Sequence, residues 1–350
     1  MFDDIIGNDR VKKSLTRMVD RNMIGQSFLF AGPQGIGKSL FANALALHIV
    51  GEQTKNHPDI RIYRPEGKIG MHSIDSMRQF NQDVYLAPLE SKKKVFILHD
   101  ADRMLSTSAN ALLKTFEEPA DDAVIILLSS NPENLLTTVL SRCRRVFFQP
   151  VESELIINWL VERKSIDRAL AEQVVPFAGG SVGEALRLCE HGQDELREVI
   201  LNLLSDGRHS FRDIQRFSSQ VSKHLEELKN EIEAAAREEI IKMDKKAMTA
   251  VQREHLEKEI NGVVSLHFQA EVDRVLQVII SWYRDLHLLQ SGGARDLLIN
   301  RDHSDKMAEH QRRQVRPLDQ IQDLVANTRL AIQRFAPVQS SLETLFLQLS

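Results

Sequence analysis

The sequence has few cysteines and no long apolar segment, and each absence excludes a class of protein. Only two of the 350 residues are cysteines, Cys143 and Cys189, which is too few for a four-cysteine zinc site. No uninterrupted apolar segment approaches the roughly 20 residues that a membrane-spanning helix needs. The N-terminal segment is acidic and lacks the apolar core of a signal peptide. These absences predict a cytoplasmic protein with reduced thiols, no zinc site and no membrane partner.

The chain also lacks the strong positive charge that is typical of an autonomous nucleic-acid-binding protein. Its formal net charge is −4 and its pI is near 6.3. The excess of acidic side chains lies beyond residue 150. Any contact with DNA is therefore expected to be local or shared with partner proteins.

Residues 1–150 alternate short β-rich segments with helical patterns, which predicts α/β architecture with a central parallel sheet and crossover helices. The predicted strands are 27–31, 60–64, 95–99, 124–129 and 145–148. Beyond residue 150 the pattern is helical only. The sequence thus predicts a nucleotide-binding domain over 1–150, a small helical section over 151–192 and a larger all-α section over 193–350.

One of the later helices carries an apolar stripe on an otherwise charged surface. Within 219–246, Val221, Leu225, Leu228 and Ile232 recur four, three and four residues apart, so they share one face of the helix. Two interpretations are open at this point: an arm that binds a partner, and a helical hairpin that packs on its own neighbour.

A glycine-rich motif follows the first predicted strand and leads into a helical pattern over 40–50. Its residues are Gly32-Pro33-Gln34-Gly35-Ile36-Gly37-Lys38-Ser39. Strand, loop and helix in this order form a P-loop, whose backbone N–H groups and helix N-terminus surround phosphate oxygens. Lys38 supplies charge for the β- and γ-phosphates, and the Ser39 hydroxyl can bind Mg²⁺. The motif predicts ATP with Mg²⁺ as the bound cofactor.

Hydrolysis needs a carboxylate that holds Mg²⁺ after a second apolar strand, and usually a further group that orients water. Here the strand 95–99 is followed by Asp100-Ala101-Asp102 and not by a tandem Asp-Glu. Asp100 is the candidate metal ligand, and Ala101 stands where a neighbouring Glu would polarise water. We therefore expect nucleotide binding with poor or absent turnover, which leaves it open whether the chain is an enzyme.

Two further motifs carry a resemblance to a known family. They are Asn110-Ala111-Leu112-Leu113-Lys114-Thr115-Phe116-Glu117-Glu118-Pro119 and Ser141-Arg142-Cys143. Together with the P-loop and the opening Ile5-Ile6-Gly7-Asn8, they resemble the bacterial clamp-loader family of AAA+ proteins over residues 1 to about 190. The resemblance implies a AAA+ P-loop domain, a helical lid, and a C-terminal collar domain that holds the chain in an oligomer.

Within that family the chain is similar to delta-prime members more than to the tau and gamma motors. Residues 51–94 contain no cysteine, whereas motor members carry a zinc-binding cysteine cluster there. When the chain is aligned back from Asn110 without gaps, His99 falls at the metal-binding Asp of the motors and Asp100 at their Glu. Motor members also have a lid arginine at the position that Gly183 occupies.

The resemblance implies roles for several residues. Arg142 would act in trans as an arginine finger on the γ-phosphate of a neighbouring subunit; a surface arginine in a salt bridge is the alternative. Ile5, Ile6 and Val11 would line an adenine pocket, or else form the apolar side of a first helix. Ser130 and Asn131 would sense the γ-phosphate, or else serve as turn residues at a strand end.

These observations predict a delta-prime-like subunit of the DNA polymerase III clamp loader, which helps load the sliding clamp on primed DNA during replication. The expected partners are tau or gamma and delta subunits, and through them the clamp and primer-template DNA. The polymerase chemistry would belong to other chains. The alternative is a self-sufficient AAA+ ATPase acting on DNA, of the branch-migration or helicase-loader type, which Ala101 and Gly183 disfavour.

Overall fold

The structure, a computed structural model, describes residues 1–21, 23–51, 57–67, 69–191, 195–207, 210–243, 250–310 and 315–349. Residues 192–194 and 244–246, which belong to segments discussed above, lie outside the described residues. The chain divides into two compact units. The first comprises Met1–Glu190 with Glu257–Gly262, and the second comprises His191–Leu256 with Val263–Ser350.

A five-stranded sheet forms the centre of the first unit. Its strands are β1 (Ser27–Ala31), β2 (Ile60–Tyr63), β3 (Lys94–Leu98), β4 (Ala123–Ser129) and β5 (Arg144–Phe147). Every neighbouring pair is parallel, and the order across the sheet is β2-β3-β4-β1-β5. The predicted parallel sheet is therefore confirmed, and each predicted strand end lies within one residue of the observed end.

The burial of the strands follows from their place in the sheet. All residues of β1, β3 and β4 are buried, as expected for central strands that are covered on both faces. β5 lies at an edge, and its Arg144, Arg145 and Phe147 are exposed. The edge strand therefore presents charged side chains, which discourage pairing with another sheet.

Helices cover both faces of the sheet. They are α1 (Asp9–Asp20), α2 (Lys38–Val50), α3 (Ile74–Tyr85), α4 (Ser106–Ala111), α5 (Leu113–Glu117) and α6 (Thr137–Leu140). Phe28 and Phe30 of β1 join one core with residues of α1 and α2, whereas Leu29 and Ala31 join a second core with residues of α3 to α6. This alternation follows from the two-residue period of a strand.

The first unit continues with helices only. They are α7 (Ser153–Lys164), α8 (Arg168–Val174) and α9 (Val182–His191). Ile156, Leu160 and Ala185 belong to a separate small core shared by these helices. The helical pattern beyond residue 150 is thus confirmed, while the boundary between 1–150 and 151–192 stays a prediction.

The second unit is all-α among its described residues. Its helices are α10 (Glu195–Asp206), α11 (Phe211–Met243), α12 (Ala250–Gln290), α13 (Ser304–His310), α14 (Leu318–Gln333) and α15 (Val338–Leu349). Val221 and Leu225 of the apolar stripe are buried in the core of this unit, whereas Leu228 and Ile232 are half-buried. The first half of the stripe therefore packs on its own unit. No helix in the described parts of the chain is long and apolar enough to cross a membrane.

Candidate functional site

The strands are parallel, so their carboxyl ends meet at one edge of the sheet and their amino ends at the other. We name these the carboxyl edge, which includes the loop after Ala31 and the residues after Leu98 and Ser129, and the amino edge, which includes the residues before Ala123 and Arg144. In parallel α/β sheets, ligands bind beyond the carboxyl ends of the strands. The predicted phosphate-binding residues lie at the carboxyl edge.

The phosphate loop runs from the end of β1 to the first residue of α2. Gly37 caps α2 with φ 97°, in the left-handed region that favours glycine. Gly35 has φ 76°, and a Cβ there would come within 2.1 Å of the Ser181 hydroxyl oxygen. Both positions therefore require glycine, one for its backbone conformation and the other also for its close approach to the helical section.

Lys38 lies inside this loop and is 8% exposed. Its ammonium group donates to the backbone oxygens of Gly32, at 2.5 Å, and Pro33, at 2.6 Å, and to the Ser130 hydroxyl at 3.3 Å. Burial lowers the pKa of Lys38 to about 8, against the opposing charges of Asp100 and Asp102. The loop, the lysine and two carboxylates therefore form one electrostatic group.

Asp100 and Asp102 follow β3 but lie in different environments. Asp100 has φ 47°, an uncommon backbone conformation for a residue other than glycine. Burial raises the pKa of Asp100, and the nearby Asp102 carboxylate adds to this shift. Between them, Ala101 is fully buried in the core on the α3 to α6 side of the sheet. Position 101 therefore faces the core and not the phosphate loop.

Asp102 joins the ends of β3 and β4. Its carboxylate accepts hydrogen bonds from the Ser129 hydroxyl at 2.7 Å, the Ser130 N–H at 3.3 Å and the Asn131 side-chain amide at 3.3 Å. Ser130 thus lies beside both Lys38 and Asp102, and Asn131 lies beside Asp102. Asp102 has no role among the sequence predictions. The alternation of carboxylates in Asp100-Ala101-Asp102 is the feature of the sequence that could have indicated one.

His99, directly after β3, is neutral at pH 7. Burial, the Arg64 guanidinium and the nearby His72 lower the pKa of His99 to about 4. Its Nδ1 lies 3.5 Å from Arg64, and its Nε2 has no hydrogen-bond partner among the described residues. A second buried histidine, His72, donates from Nε2 to the His99 backbone oxygen at 2.7 Å. The carboxyl edge therefore holds an uncharged imidazole beside its carboxylates.

The start of α9 contacts the phosphate loop. The Gly183 N–H donates to the Gly35 backbone oxygen at 3.2 Å, and the Ser181 hydroxyl accepts from the Glu184 N–H at 3.1 Å, capping the helix. Neither Ser181 nor Gly183 brings a positive side chain to the loop. Arg187, one turn further along α9, forms an ion pair with Glu184 at 2.7 Å.

Ile5 and Ile6 lie between two cores. A Cβ on Gly37 would come 3.9 Å from Ile5, so Ile5 lies beside the phosphate loop. Ile5 packs against the core of α1 and α2, and Ile6 packs against the small helical core of α7 to α9. Neither residue lies on α1, which begins at Asp9, so the alternative that they form the apolar side of this helix is wrong for Ile5 and Ile6. It is confirmed for Val11, which lies on α1 and is buried in the core of α1 and α2.

Arg142 lies at the amino edge, two residues after the end of α6 and two residues before β5. β1 and β5 pair in parallel, with Phe28 opposite Arg144 and Ala31 opposite Phe147, so Arg142 and the phosphate loop lie at opposite edges of the sheet. The side chain of Arg142 is 34% exposed. Arg142 is therefore partly exposed to solvent, whereas Lys38 is buried.

The guanidinium group of Arg142 is held by three acceptors. Nη2 lies 2.7 Å from the Glu117 carboxylate, and Nη1 donates to the Thr138 backbone oxygen at 2.9 Å and to the Ser141 hydroxyl at 3.4 Å. The sequence interpretation anticipated a salt bridge as one alternative but did not identify its acidic partner. Glu117 belongs to the 110–119 motif, and no periodicity in the sequence relates that motif to Arg142.

Comparisons with known proteins agree with the motifs. A family described as "DNA polymerase III, delta subunit" matches residues 7–152. The DNA polymerase III subunit delta' of Bacillus subtilis (strain 168) is 32% identical over 171 residues, which cover 44% of this chain and 51% of that protein. The subunit tau of the same organism is 28% identical over 209 residues, covering 54% and 37%. The chain thus spans about half or less of the length of these curated relatives.

The chain also matches solved structures, at low identity and with TM-scores below 0.5. A DNA polymerase III gamma subunit-related protein of Thermotoga maritima is 18% identical with a TM-score of 0.39, over 92% of this chain and 98% of that chain. The RuvB Holliday junction branch migration motor of Thermotoga maritima is 17% identical with a TM-score of 0.42, over 57% and 65%.

The family match covers the phosphate loop, the 110–119 motif and the Ser141-Arg142-Cys143 motif, and the strand order agrees with the α/β architecture that these motifs predict. The resemblance stated from the sequence is thereby confirmed: residues 7–152 match the DNA polymerase III delta subunit family, and the curated relatives are DNA polymerase III subunits.

Proposed function

We propose that the chain is a delta-prime-like subunit of the DNA polymerase III clamp loader, in which it offers an arginine to a neighbouring ATPase subunit during DNA replication. The observation that carries this proposal is the position of Arg142 at the amino edge, opposite the chain's own phosphate loop. A charge placed there acts on a second molecule more readily than on the nucleotide of its own chain.

The carboxyl edge fits ATP with Mg²⁺. Lys38 and the loop glycines would hold phosphate oxygens, because Gly37 adopts the conformation of a phosphate loop and Lys38 lies at the loop centre. Ser39 and Asp100 would hold the metal, and Ile5 would contact the adenine base. A bound Mg²⁺ would neutralise charge on the β- and γ-phosphates.

Ser130 and Asn131 complete the proposed site from the end of β4. Ser130 would exchange its hydrogen bond with Lys38 for one to a phosphate oxygen, since a charged phosphate is the stronger partner. Asp102 would keep both residues in place through its hydrogen bonds to them. Ile6 would contribute to the adenine pocket from the side of the helical section.

Hydrolysis by the chain itself would be poor. Ala101 is buried in the core, so no carboxylate follows Asp100 to polarise the attacking water. His99 is neutral at pH 7 and offers no negative charge to a metal. Gly183 brings no cation to the phosphates. The proposed role is therefore to bind nucleotide and to stimulate a neighbour.

Arg142 would supply positive charge to the γ-phosphoryl group bound by an adjacent motor subunit. To do so, its guanidinium group would leave Glu117 or share its donors, because Nη2 already contacts that carboxylate. Such a finger accelerates phosphoryl transfer by about 10³–10⁵ in related enzymes. The exposure of Arg142 makes this exchange inexpensive, since a half-exposed ion pair contributes about 1 kcal/mol or less.

The remaining parts of the proposal concern assembly. The all-α section over 193–350 would serve as the collar that holds the chain beside tau or gamma and delta subunits in the cytoplasm. Through these partners the chain would act on the sliding clamp and on primer-template DNA. The section over 151–192 would be the lid over the nucleotide.

The test is Arg142→Ala in a complex reconstituted with the motor and delta subunits of the same organism. We expect unchanged assembly, and DNA-stimulated ATP turnover that falls by the share of the one adjacent motor site. Arg168→Ala is the matched control, because Arg168 is also exposed and paired with glutamates but lies in the helical section. A mutant complex that hydrolyses ATP and loads clamps at the wild-type rate contradicts the finger.

ATP turnover by the isolated chain distinguishes the proposed function from that of a self-sufficient AAA+ ATPase. A delta-prime-like chain shows little ATP turnover alone, whereas a self-sufficient AAA+ ATPase turns over ATP without partners. Lys38→Ala in the isolated chain identifies whether any turnover observed belongs to this phosphate loop. Turnover that is rapid, stimulated by DNA and lost in Lys38→Ala would replace the proposed role with that of a motor.

A further inference from the structure

A row of cations follows one side of α1. Arg10, Lys13, Arg17 and Arg21 are three, four and four residues apart, so they fall within roughly 100° of one another around the helix axis. All four side chains are exposed. A different side of the same helix is buried in the core of the first unit. α1 is therefore fixed by its apolar side and presents a basic row to solvent.

A fifth cation joins this row from the sheet. Arg144, exposed on the edge strand β5, lines an open groove of about 430 Å³ together with the four cations of α1. We name this surface the basic groove. Its other lining residues are Ser14, Met18 and Met23, so no acidic side chain lines it.

The charge of the basic groove is not neutralised by the described parts of the chain. The ion pairs among the described residues include none with Arg10, Lys13, Arg17, Arg21 or Arg144. The next lysine along, Lys12, shows the contrast, because it pairs with Asp9 at 3.2 Å. Five neighbouring positive charges thus persist on a chain whose net charge is −4.

Like charges gathered without counter-charges repel one another and favour an anionic partner. A protein partner would normally need a buried apolar or aromatic anchor, and the groove offers only two methionines and no aromatic residue. Phosphodiester backbones need only cations and hydroxyl donors, which four arginines, one lysine and Ser14 supply. The absence of an aromatic residue for base stacking favours a duplex over a single strand.

We propose that the basic groove binds the phosphate backbone of duplex DNA without reading its sequence. Successive cations of α1 lie about 4.5–6 Å apart along the helix axis, and Arg10 and Arg21 lie about 16 Å apart. This length corresponds to about five base pairs of a duplex, in which each strand carries one phosphate per about 3.4 Å. The inference goes beyond the proposed function, which assigns DNA contact to no residue of this chain.

The test is the binding of a fluorescent 20-base-pair duplex to the purified full-length chain, followed by anisotropy from about 50 to 200 mM salt. If all five cations meet phosphates, the slope of log Kd against log salt is about 4.5. Lys13→Gln with Arg17→Gln should lower that slope by about 1.8 and weaken binding by about tenfold or more at 50 mM salt. Circular dichroism checks that the fold is unchanged, as exposed side chains lead us to expect.

The matched control is Lys92→Gln with Arg163→Gln, which removes one lysine and one arginine from exposed positions elsewhere in the first unit. It should change Kd by less than about twofold and the slope of log Kd against log salt by less than about 0.3. A second groove variant, Arg144→Gln, changes β5 and not α1, and it should lower the slope by about 0.9. It keeps the test valid if the α1 variant fails to fold.

Three results would overturn the proposal: no duplex binding by the wild type at 50 mM salt, equal losses in the groove and control variants, or polyglutamate binding through the groove as tightly as DNA. The last result would assign the groove to an acidic protein. Because the purified chain is used alone, none of these results depends on the arginine finger or on ring assembly.

Discussion

The two edges of the sheet differ in how they hold the cation proposed to contact phosphate, Lys38 at one edge and Arg142 at the other. At the carboxyl edge Lys38 is buried, and its ammonium group is satisfied by two carbonyls and a hydroxyl. At the amino edge Arg142 is half-exposed and held by a carboxylate, a carbonyl and a hydroxyl. One edge is built as a closed network around a phosphate loop, whereas the other keeps a cation within reach of solvent.

This difference shows how one sheet can carry two kinds of chemistry. Burial strengthens electrostatic interactions and fixes geometry, which suits the binding of a ligand by the chain itself. Exposure lets a side chain exchange its partner at small energetic cost, which suits an interaction with a second molecule. The chain does not need separate domains for these tasks, because parallel strands separate the two edges by their own length.

The largest expected effect comes from His72 at the carboxyl edge. Burial lowers the pKa of His72 to about 4, whereas the unfolded chain takes up this proton near pH 6.5. The contribution of neutral His72 to the free energy of unfolding is therefore fully present above pH 6.5. It decreases by about 3 kcal/mol as the pH falls towards 4. His72→Gln should make the free energy of unfolding, measured in urea, correspondingly less dependent on pH in this window.

The exposed His48 provides the comparison for that experiment. His48→Gln should leave the pH dependence between 6.5 and 4 as in the wild type. If His72→Gln and His48→Gln behave alike, the carboxyl edge does not hold a buried neutral imidazole, and the contrast between the edges is weaker than the structure indicates.

The second expected effect is the loss of ATP binding when Lys38 is removed. Lys38→Ala removes the cation for the β- and γ-phosphates and should weaken ATP binding by about 1.5–3 kcal/mol, the range of a hydrogen bond to a charged group. Titration calorimetry on the full chain measures this loss. Lys92→Ala, an exposed lysine before β3 at the amino edge, should bind ATP like the wild type. Equal affinities for Lys38→Ala and Lys92→Ala would mean that the loop no longer binds nucleotide.

At the amino edge, Asp59 should make the stability of the chain depend on pH at lower pH values than His72 does. Burial alone would raise the pKa of Asp59, but hydrogen bonds from the N–H groups of Leu89, Glu90 and Ser91 lower it to about 2. Stability from Asp59 is present above the unfolded pKa near 3.9 and is lost as the pH falls towards 2, by about 2 kcal/mol. Asp59→Asn should remove this loss, which acid unfolding followed by circular dichroism measures.

The smallest expected effect is the coupling of Glu117 to Arg142. A double-mutant cycle of Glu117→Gln and Arg142→Ala should give an interaction free energy of about 0.2–1 kcal/mol in urea unfolding of the isolated chain. A coupling of several kcal/mol would show a fixed structural pair. In that case Arg142 could not leave Glu117 readily, and the proposed exchange with a neighbour's phosphate would fail.

The sequence by itself determined the parts of the chain that rest on local patterns. The continuous apolar segments of β3 and β4 predicted central strands, because only strands covered on both faces are apolar throughout. The phosphate loop was predictable because its chemistry requires glycines and a lysine at fixed spacing. The Ser141-Arg142-Cys143 motif was found by resemblance alone, since its local sequence also fits a surface salt bridge.

Only the tertiary structure decided which distant residues meet. Asp102 became part of the site because parallel pairing places the end of β3 beside the end of β4. Glu117 reached Arg142 across 25 positions of the chain, and Arg144 joined the row on α1 because β5 forms the edge of the sheet. A periodic pattern records the environment of each residue along its own helix or strand, whereas contacts between elements depend on strand order, which no single segment encodes.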